Sequence, residues 1–469
     1  MMIVAHIILE AKSALHFGCG DFDALQDSPV QRDFNGLPMI LGTSICGVIR
    51  ANAKEIFSPQ QLDSLFGYAH KKEAKDSRLI FSNALLLDKD MRVNESLIPH
   101  SKLEKSPFLS HFLNLPQRQH NAISAQGVCK DGAKFDKEVI YKGTLFKCAI
   151  SMDLSSGENG ERDKEAFFKI LGLFCSPFFR LGAGSTKGFG VIKPISITYE
   201  ILNSPFSKSS SLNENLAQNF TPDLLRKSDR FTHYVLKIMP ENVFLFGAGF
   251  GDSEADSIGV REKVVDYDKG DLSEAKLLIP ASSIKGAIAQ RTRYYINTYL
   301  GNLIDSTQNA ELDNKSHQIH ATLFGSADSS DKSNDTKSSN ADFNNTKSSQ
   351  DATKGKILIS DIYLDFDKKK DSQIFAHNSI DRFTGGCVDG ALFQEKADFG
   401  SEFVLNIFVD TSHKSQDFEI ALQSFEKALN DICAGFLPLG AASSKGHGFF
   451  SGSLEKNGVK IHTNTPNKA

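Results

Sequence analysis

A chain of 469 residues has room for two to four domains, and a hydrophobic share of 40% suffices for globular cores, which excludes a chain disordered throughout. The formal charge of −4 gives no global basic footprint, so a nucleic-acid partner would need a local basic groove. The 7 cysteines are odd in number and scattered without Cys-x-x-Cys or Cys/His spacing, which argues against a disulfide frame or a zinc site and for reduced, cytoplasmic thiols.

No apolar run approaches the roughly eighteen residues a bilayer span needs, so no membrane partner is expected. The N-terminus lacks a basic n-region and a cleavage site; it reads as a strand over residues 3–9 rather than a signal peptide. A turn, Gly18-Cys19-Gly20, follows, then the stretch 24–50 with Asp27-Ser28-Pro29, Arg32-Asp33 and Asn35-Gly36-Leu37-Pro38. Apolar spacing predicts a helix over residues 44–57, with Thr43 or Ser44 as N-cap. Residues 79–87 are strand-like, 100–130 loop-like, 138–154 a strand pair and 164–175 helical. A glycine-rich loop at 182–190 enters a strand at 195–201.

After a Ser/Asn-rich linker the order repeats. Strand-like segments 232–238 and 242–245 lead into Phe246-Gly247-Ala248-Gly249. Asp256-Ser257 follows, then a helix over 282–299 capped by Ser282 or Ser283. Leu323-Phe324-Gly325 echoes Leu65-Phe66-Gly67. Residues 326–355 are too polar to bury a core and are expected to be disordered. A strand at 356–364, a thumb-like region with Arg382-Phe383, a strand at 403–409, a helix at 418–429 and a second glycine loop at 440–448 complete the copy. The tail beyond Leu454 reads as frayed. Landmarks recurring in one order outrank any single motif and indicate a duplication. The mixed order within each copy suits a split βαβ, ferredoxin-like module, hence an α+β fold. The expected domains are 1–202, a linker at 203–228, 229–455 and a tail at 456–469.

The residues alone leave several readings open. Asp27 reads first as a turn aspartate bonding its own backbone, with a catalytic acid as the lesser alternative. Gly42-Thr43-Ser44 and Ala281-Ser282-Ser283 offer N–H groups and hydroxyls to phosphate, or are ordinary caps; Lys285 adds charge in the second copy where the first has Cys46. Gly184, Ser185, Lys187 and Gly188, with Ser443, Lys445 and Gly446, form phosphate-cradling nests or tight helix-to-strand connections. They are not P-loops. His16, His120, His317, His320 and His447 find no repeated equivalent among themselves and are taken as surface or core residues.

The ordered set of motifs resembles the RAMP superfamily: strand, GxG turn, Asp-Ser-Pro, Gly-x-Pro-x-Ile-x-Gly-[Ser/Thr]-Ser and a late Gly-x-x-x-x-Lys-Gly-x-Gly loop. It is closest to backbone subunits of type III CRISPR effectors, and a tandem fusion is similar to III-D-like subunits. The resemblance implies RRM-like modules with inserted thumb hairpins and a subunit that binds CRISPR RNA among other effector subunits. It also implies an endoribonuclease in which an aspartate cuts target RNA with a divalent ion, Mg²⁺. By position that aspartate is Asp27; in the second copy it is Asp256, in a context without the proline. RNA contacts are implied for Gly42, Thr43, Ser44, Arg50, Gly184, Ser185, Lys187, Gly188, Ser282, Ser283, Lys285, Arg382, Ser443, Lys445 and Gly446. The alternatives are a non-catalytic guide-binding subunit and a RAMP endoribonuclease that matures CRISPR RNA by histidine chemistry. A metabolic nucleotide-binding enzyme would rest on the glycine loops alone.

Overall fold

The computed structural model describes residues 1–20, 27–70, 73–123, 129, 132–202, 210–212, 215–216, 230–302, 310–326, 353–367, 370–400, 402–412 and 415–463. The chain forms two compact units. The first comprises Met1–Ser228, Phe246–Ala281 and Ser360–Ala397; the second comprises Asp229–Leu245, Ser282–Ile359 and Asp398–Ala469. Parts of the second sequence repeat therefore belong to the first unit.

In the first repeat, strand β1 (Met2–Ala11) is followed by helix α1 (Gly42–Ala53) and the short strands β2 (Leu79–Phe81) and β3 (Ala84–Leu86). A hairpin follows, made of β4 (Gln117–His120) and β5 (Phe135–Glu138). Then come β6 (Leu145–Asp153), α2 (Glu158–Leu173) and β7 (Ile192–Leu202). β1 lies between β7 and β6, antiparallel to both, and β2 and β3 pair with the far edge of β6. This is the βαββαβ order of a ferredoxin-like module. Strict alternation along β1 buries Ile3, Ala5, Ile7, Leu9 and Ala11 on one face. Helical spacing puts Ile45, Ile49 and Ala53 of α1, and Phe167, Ile170 and Leu171 of α2, into the same core. Each such large apolar side chain contributes about 1.5–3 kcal/mol on full burial.

The second repeat has the same plan. Its elements are β8 (Phe231–Pro240), α3 (Ala281–Leu300), α4 (Ala310–Phe324), β9 (Ile357–Ile359), β10 (Ile362–Leu364) and the hairpin strands β11 (Ser372–His377) and β12 (Phe393–Asp398). They continue with β13 (Phe403–Asp410), α5 (Gln416–Cys433), β14 (Phe450–Lys456) and β15 (Val459–Thr463). The second unit's sheet runs β9-β13-β8-β14-β15. Ser415 caps α5 by accepting from the Phe418 N–H, and Phe418, Phe425, Leu429 and Ile432 face the core. Two loop hydrogen bonds recur at equivalent places in both repeats. Gln31 N–H donates to Phe17 O as Val260 N–H does to Phe246 O, and Leu181 N–H donates to Gly190 O as Leu439 N–H does to Gly448 O.

Several expectations are corrected. Thr43, Ser44, Ser282 and Ser283 are not caps: they lie inside the first turns, because a distant side chain supplies the acceptor. Gly42 N–H donates to Asn83 Oδ1 at 2.9 Å and Ala281 N–H to Asp361 Oδ1 at 2.8 Å. Residues 100–130 hold a helix (His100–Lys105) as well as β4, and 356–364 breaks into two strands. Residues 242–245 form no strand, only an isolated bridge at Phe244. Within the expected linker, Ser210–Leu212 pairs with β7. The tail does not fray at Leu454, since β15 pairs back onto β14. Residues 327–352, within the insert expected to be disordered, and the first thumb's 124–128 lie outside the described residues.

Candidate nucleic-acid interface

Asp27 is exposed and is tied to the root of the first hairpin. Its N–H donates to Asp136 Oδ1 at 3.1 Å, and the Asp136 N–H donates to Asp27 Oδ2 at 3.0 Å. In the second repeat Asp256, also exposed, makes a related clip with a backbone acceptor: Gln394 N–H donates to Asp256 Oδ2 at 2.7 Å, and Asp256 N–H to Gln394 O at 2.9 Å. Turn residues donate and accept this way readily. Here the partner is not local, so the clip joins two chain segments.

Behind Asp27 sits buried His16. Its Nδ1 lies 2.8 Å from Glu138 O, and since a carbonyl only accepts, Nδ1 carries the proton. Burial lowers the His16 pKa, leaving a neutral ring whose Nε2 accepts from Ser28 Oγ at 2.9 Å. Glu138 takes the Val30 N–H at 2.8 Å and pairs with Arg32, which fixes the rest of the turn. The second repeat keeps the serine, Ser257, but has Leu245 in place of His16.

Beside the clip, Phe135 carries cations. Lys187 Nζ of the first glycine loop lies 5.7 Å from its ring centroid and Lys137 Nζ 5.9 Å. The His120 ring stacks on Phe135 at 5.1 Å. Burial, then Lys187 and Lys137, push the His120 pKa down to about 4, and its Nε2 has no hydrogen-bond partner. Burial and Lys187 also lower Lys137. The corresponding corner of the second repeat differs. His377 stacks on Phe393 at 6.3 Å, but Glu395 stands where Lys137 does and bonds the His377 ring at 2.8 Å, while Lys396 pairs with Glu254. A cationic corner has become a charge-paired one.

The other anticipated residues divide. Lys187 meets the Phe135 ring of the first hairpin, but Ser185 and Gly188 of its loop are buried and Gly184 half-buried. Thr43 and Ser44 are exposed, Gly42 is buried, and Arg50 is at the far end of α1, 3.4 Å from Asp63. Ser283 is exposed; Ser282 and Lys285 are half-buried on α3. Ser443, Lys445 and Gly446 are all exposed. Arg382 is at the tip of the second hairpin beside Phe383, which is 98% exposed, in a turn whose Asp381 accepts from Phe383 and Thr384 N–H.

Among the described residues no group of three or more His, Cys, Asp or Glu side chains converges as a metal site. Asp27 and Asp136 nonetheless bring two carboxyl groups together. That suits Mg²⁺, which takes one or two carboxylates and completes its shell from water and substrate phosphate. In the second repeat the partner is Gln394, an amide.

A model of the RAMP superfamily matches residues 8–193 and 230–451, the two repeats just described. The chain belongs to the RAMP superfamily. No curated protein matches it. RAMP membership places it among CRISPR-associated RNA-binding subunits, and some RAMP proteins are ribonucleases. No helix among the described residues is long and apolar enough to cross a membrane. Sequence reasoning missed Asp136, Lys137 and Phe135 in this RAMP protein, and the equivalence of His120 with His377. The cue was a His and a Phe at the two roots of each hairpin, obscured by hairpins of unequal length.

Proposed function

We propose that this chain is a tandem backbone subunit of a type III CRISPR ribonucleoprotein that binds CRISPR RNA, and that its first repeat cuts complementary target RNA at Asp27. One observation carries the reading: an exposed carboxylate is tied to the same hairpin strand whose Phe135 ring meets two lysines. RNA brings its own nucleophile, the 2′-hydroxyl, so a protein need only align it, move a proton and stabilise charge on phosphate. Lys137 and Lys187 attract the phosphate. Asp27 is positioned to orient or accept the hydroxyl proton; His16 and Ser28 hold its turn. A divalent ion such as Mg²⁺, held by Asp27 and Asp136, would supply further charge to the phosphate. Asp256, with Gln394 and Glu395 around it, is the weaker cutter of the two.

The test is target cleavage by reconstituted effector complexes carrying Asp27→Asn, Asp27→Ala or Asp256→Asn. Asparagine keeps the oxygen that accepts the Asp136 N–H and removes only the charge. Asp27→Asn is expected to slow the first repeat's cut by about 100-fold or more, with Asp256→Asn affecting its own site less. Wild-type cutting at every position by Asp27→Asn sinks the catalytic assignment. A second reading, a purely structural guide-binding subunit, is favoured by the clips themselves, which use both aspartates to fasten backbone. It predicts retained guide RNA and unchanged cleavage in both asparagine variants.

A further inference from the structure

Within the second unit, helices α3 and α5 meet in a cluster of cations and aromatic rings that takes no part in the hairpins or the glycine loops. The Asp431 carboxylate of α5 accepts from Arg291 Nε, and from Tyr295 Oη at 2.7 Å. Its side chain is 12% exposed, so the two α3 residues are held by a well-buried acceptor. The Arg291 guanidinium lies 5.1 Å from the Tyr294 ring and 5.5 Å from the Tyr295 ring, and Lys427 Nζ lies 5.6 Å from the Tyr295 ring. Among the described residues no hydrogen-bond acceptor takes Arg291 Nη1 or Nη2, and no carboxylate pairs with the exposed Lys427. Asp431 offsets one of the two charges, which leaves the cluster positive. Tyr294 is 50% exposed and Tyr299 63%; Phe436, whose N–H donates to Asp431 O at 2.8 Å, is 69% exposed.

Open ring faces flanked by cations with unused donors suit single-stranded RNA: a ring stacks a base while the cations take the flanking phosphates. A stable protein interface would instead bury a contiguous apolar core. Here the exposed positions of α3 other than the tyrosines are Ser, Thr, Gln or Gly, and those of α5 are Gln, Glu or Lys, so neither helix offers an aliphatic centre. The first repeat lacks the cluster. Counting from the two capped N–H groups, Gly42 and Ala281, Asn52 and Glu55 stand where Arg291 and Tyr294 do.

We propose that Arg291, Tyr294 and Lys427 form a sequence-tolerant site for a short run of single-stranded RNA, with a base on the Tyr294 ring and phosphates on Arg291 Nη1 and Nη2 and on Lys427. Asp431 and Tyr295 position the guanidinium, and Tyr299 and Phe436 offer ring faces to neighbouring bases. The site depends neither on RNA cleavage nor on guide binding at the hairpins and glycine loops.

The test is photocrosslinking of an oligouridylate carrying 4-thiouridine to the RNA-free full-length chain, with the crosslinked peptides read by mass spectrometry. A crosslink is expected within residues 291–299. Because the readout is by position, RNA held elsewhere on the chain does not obscure it. Lys137→Gln/Lys187→Gln should leave this crosslink in place, whereas Tyr294→Ala/Lys427→Gln should reduce it about 10-fold. Tyr294 and Lys427 are both exposed, and an unchanged melting temperature verifies that the variant folds. In the Lys137→Gln/Lys187→Gln background, Lys427→Gln should also lower the slope of log affinity against log salt by about 0.7, one phosphate contact. No crosslink within 291–299, or one that Tyr294→Ala/Lys427→Gln leaves at full strength, overturns the proposal. So does oligoglutamate that competes as well as oligouridylate, which would assign the face to an acidic protein segment. Loss of cleavage in Asp27→Asn with this crosslink intact keeps the two sites distinct.

Discussion

Arg118→Met is the substitution whose cost the structure sets most directly. Methionine replaces the alkyl stem but withdraws the donors that serve Glu262, Asp361 and Tyr363. Glu262 keeps the Tyr363 hydroxyl and Asp361 keeps the Ala281 N–H, so neither carboxylate is orphaned, yet both stay buried without a cation. Removing one partner from such an arrangement costs about 3–5 kcal/mol. Burial already pushes the Asp361 carboxyl above the usual carboxylate range against the pull of Arg118, so without the guanidinium it rises further. An acid whose folded pKa is raised is stabilising in its protonated form. That stability is present at low pH and is lost as pH rises through the folded value. The deficit of the variant should therefore widen from about pH 4 to pH 7. Urea unfolding at both pH values measures it. The triple variant Arg118→Met/Glu262→Gln/Asp361→Asn, with no buried charge left, should recover most of the loss. A deficit below about 1 kcal/mol at pH 7, or one independent of pH, refutes the reasoning.

Gly188→Ala should destabilise the first unit by about 2 kcal/mol or more, since φ is +106° and the new methyl meets Asp361 and Ala281; unfolding midpoints of this variant and of Gly446→Ala, where space is open, separate the two effects. Ala442 holds φ of 59° where the first repeat has Gly184, so Ala442→Gly should raise stability by about 1 kcal/mol in a thermal or urea melt. Burial holds His120 and His320 near a pKa of about 4, below the ordinary value. Folded-state values depressed in this way give stability that is complete above about pH 6.5 and lost as pH falls toward 4. The melting temperature should drop across that window, and less steeply in His120→Gln.

The duplication, the α+β class and the matched aspartates were legible because their signals are local: alternation in β1, helical spacing in α1, glycine loops of one pattern. What escaped was set by distant partners. Both helix starts looked self-capped, but the acceptors come from Asn83 and Asp361, 41 and 80 residues away. Arg118 read as one polar residue in a loop; its partners Glu262 and Asp361 are 144 and 243 residues on, and no periodicity connects them. The equivalence of His120 with His377 went unseen because the hairpins differ in length, though each ring stacks on the phenylalanine at the opposite root. Asp136 carried no sequence signal beyond its own charge.

The two carboxylate clips make each acid a strain gauge for its hairpin. Asp136 and Gln394 reach the candidate acids through their own backbone N–H groups, so a strand that shifts along its axis must either drag the carboxylate with it or release it. Anything that grips the exposed Phe383 tip pulls on the same strand that holds Asp256. Slow hydrogen exchange at the Gln394 amide would then register a seated hairpin, and fast exchange an idle one.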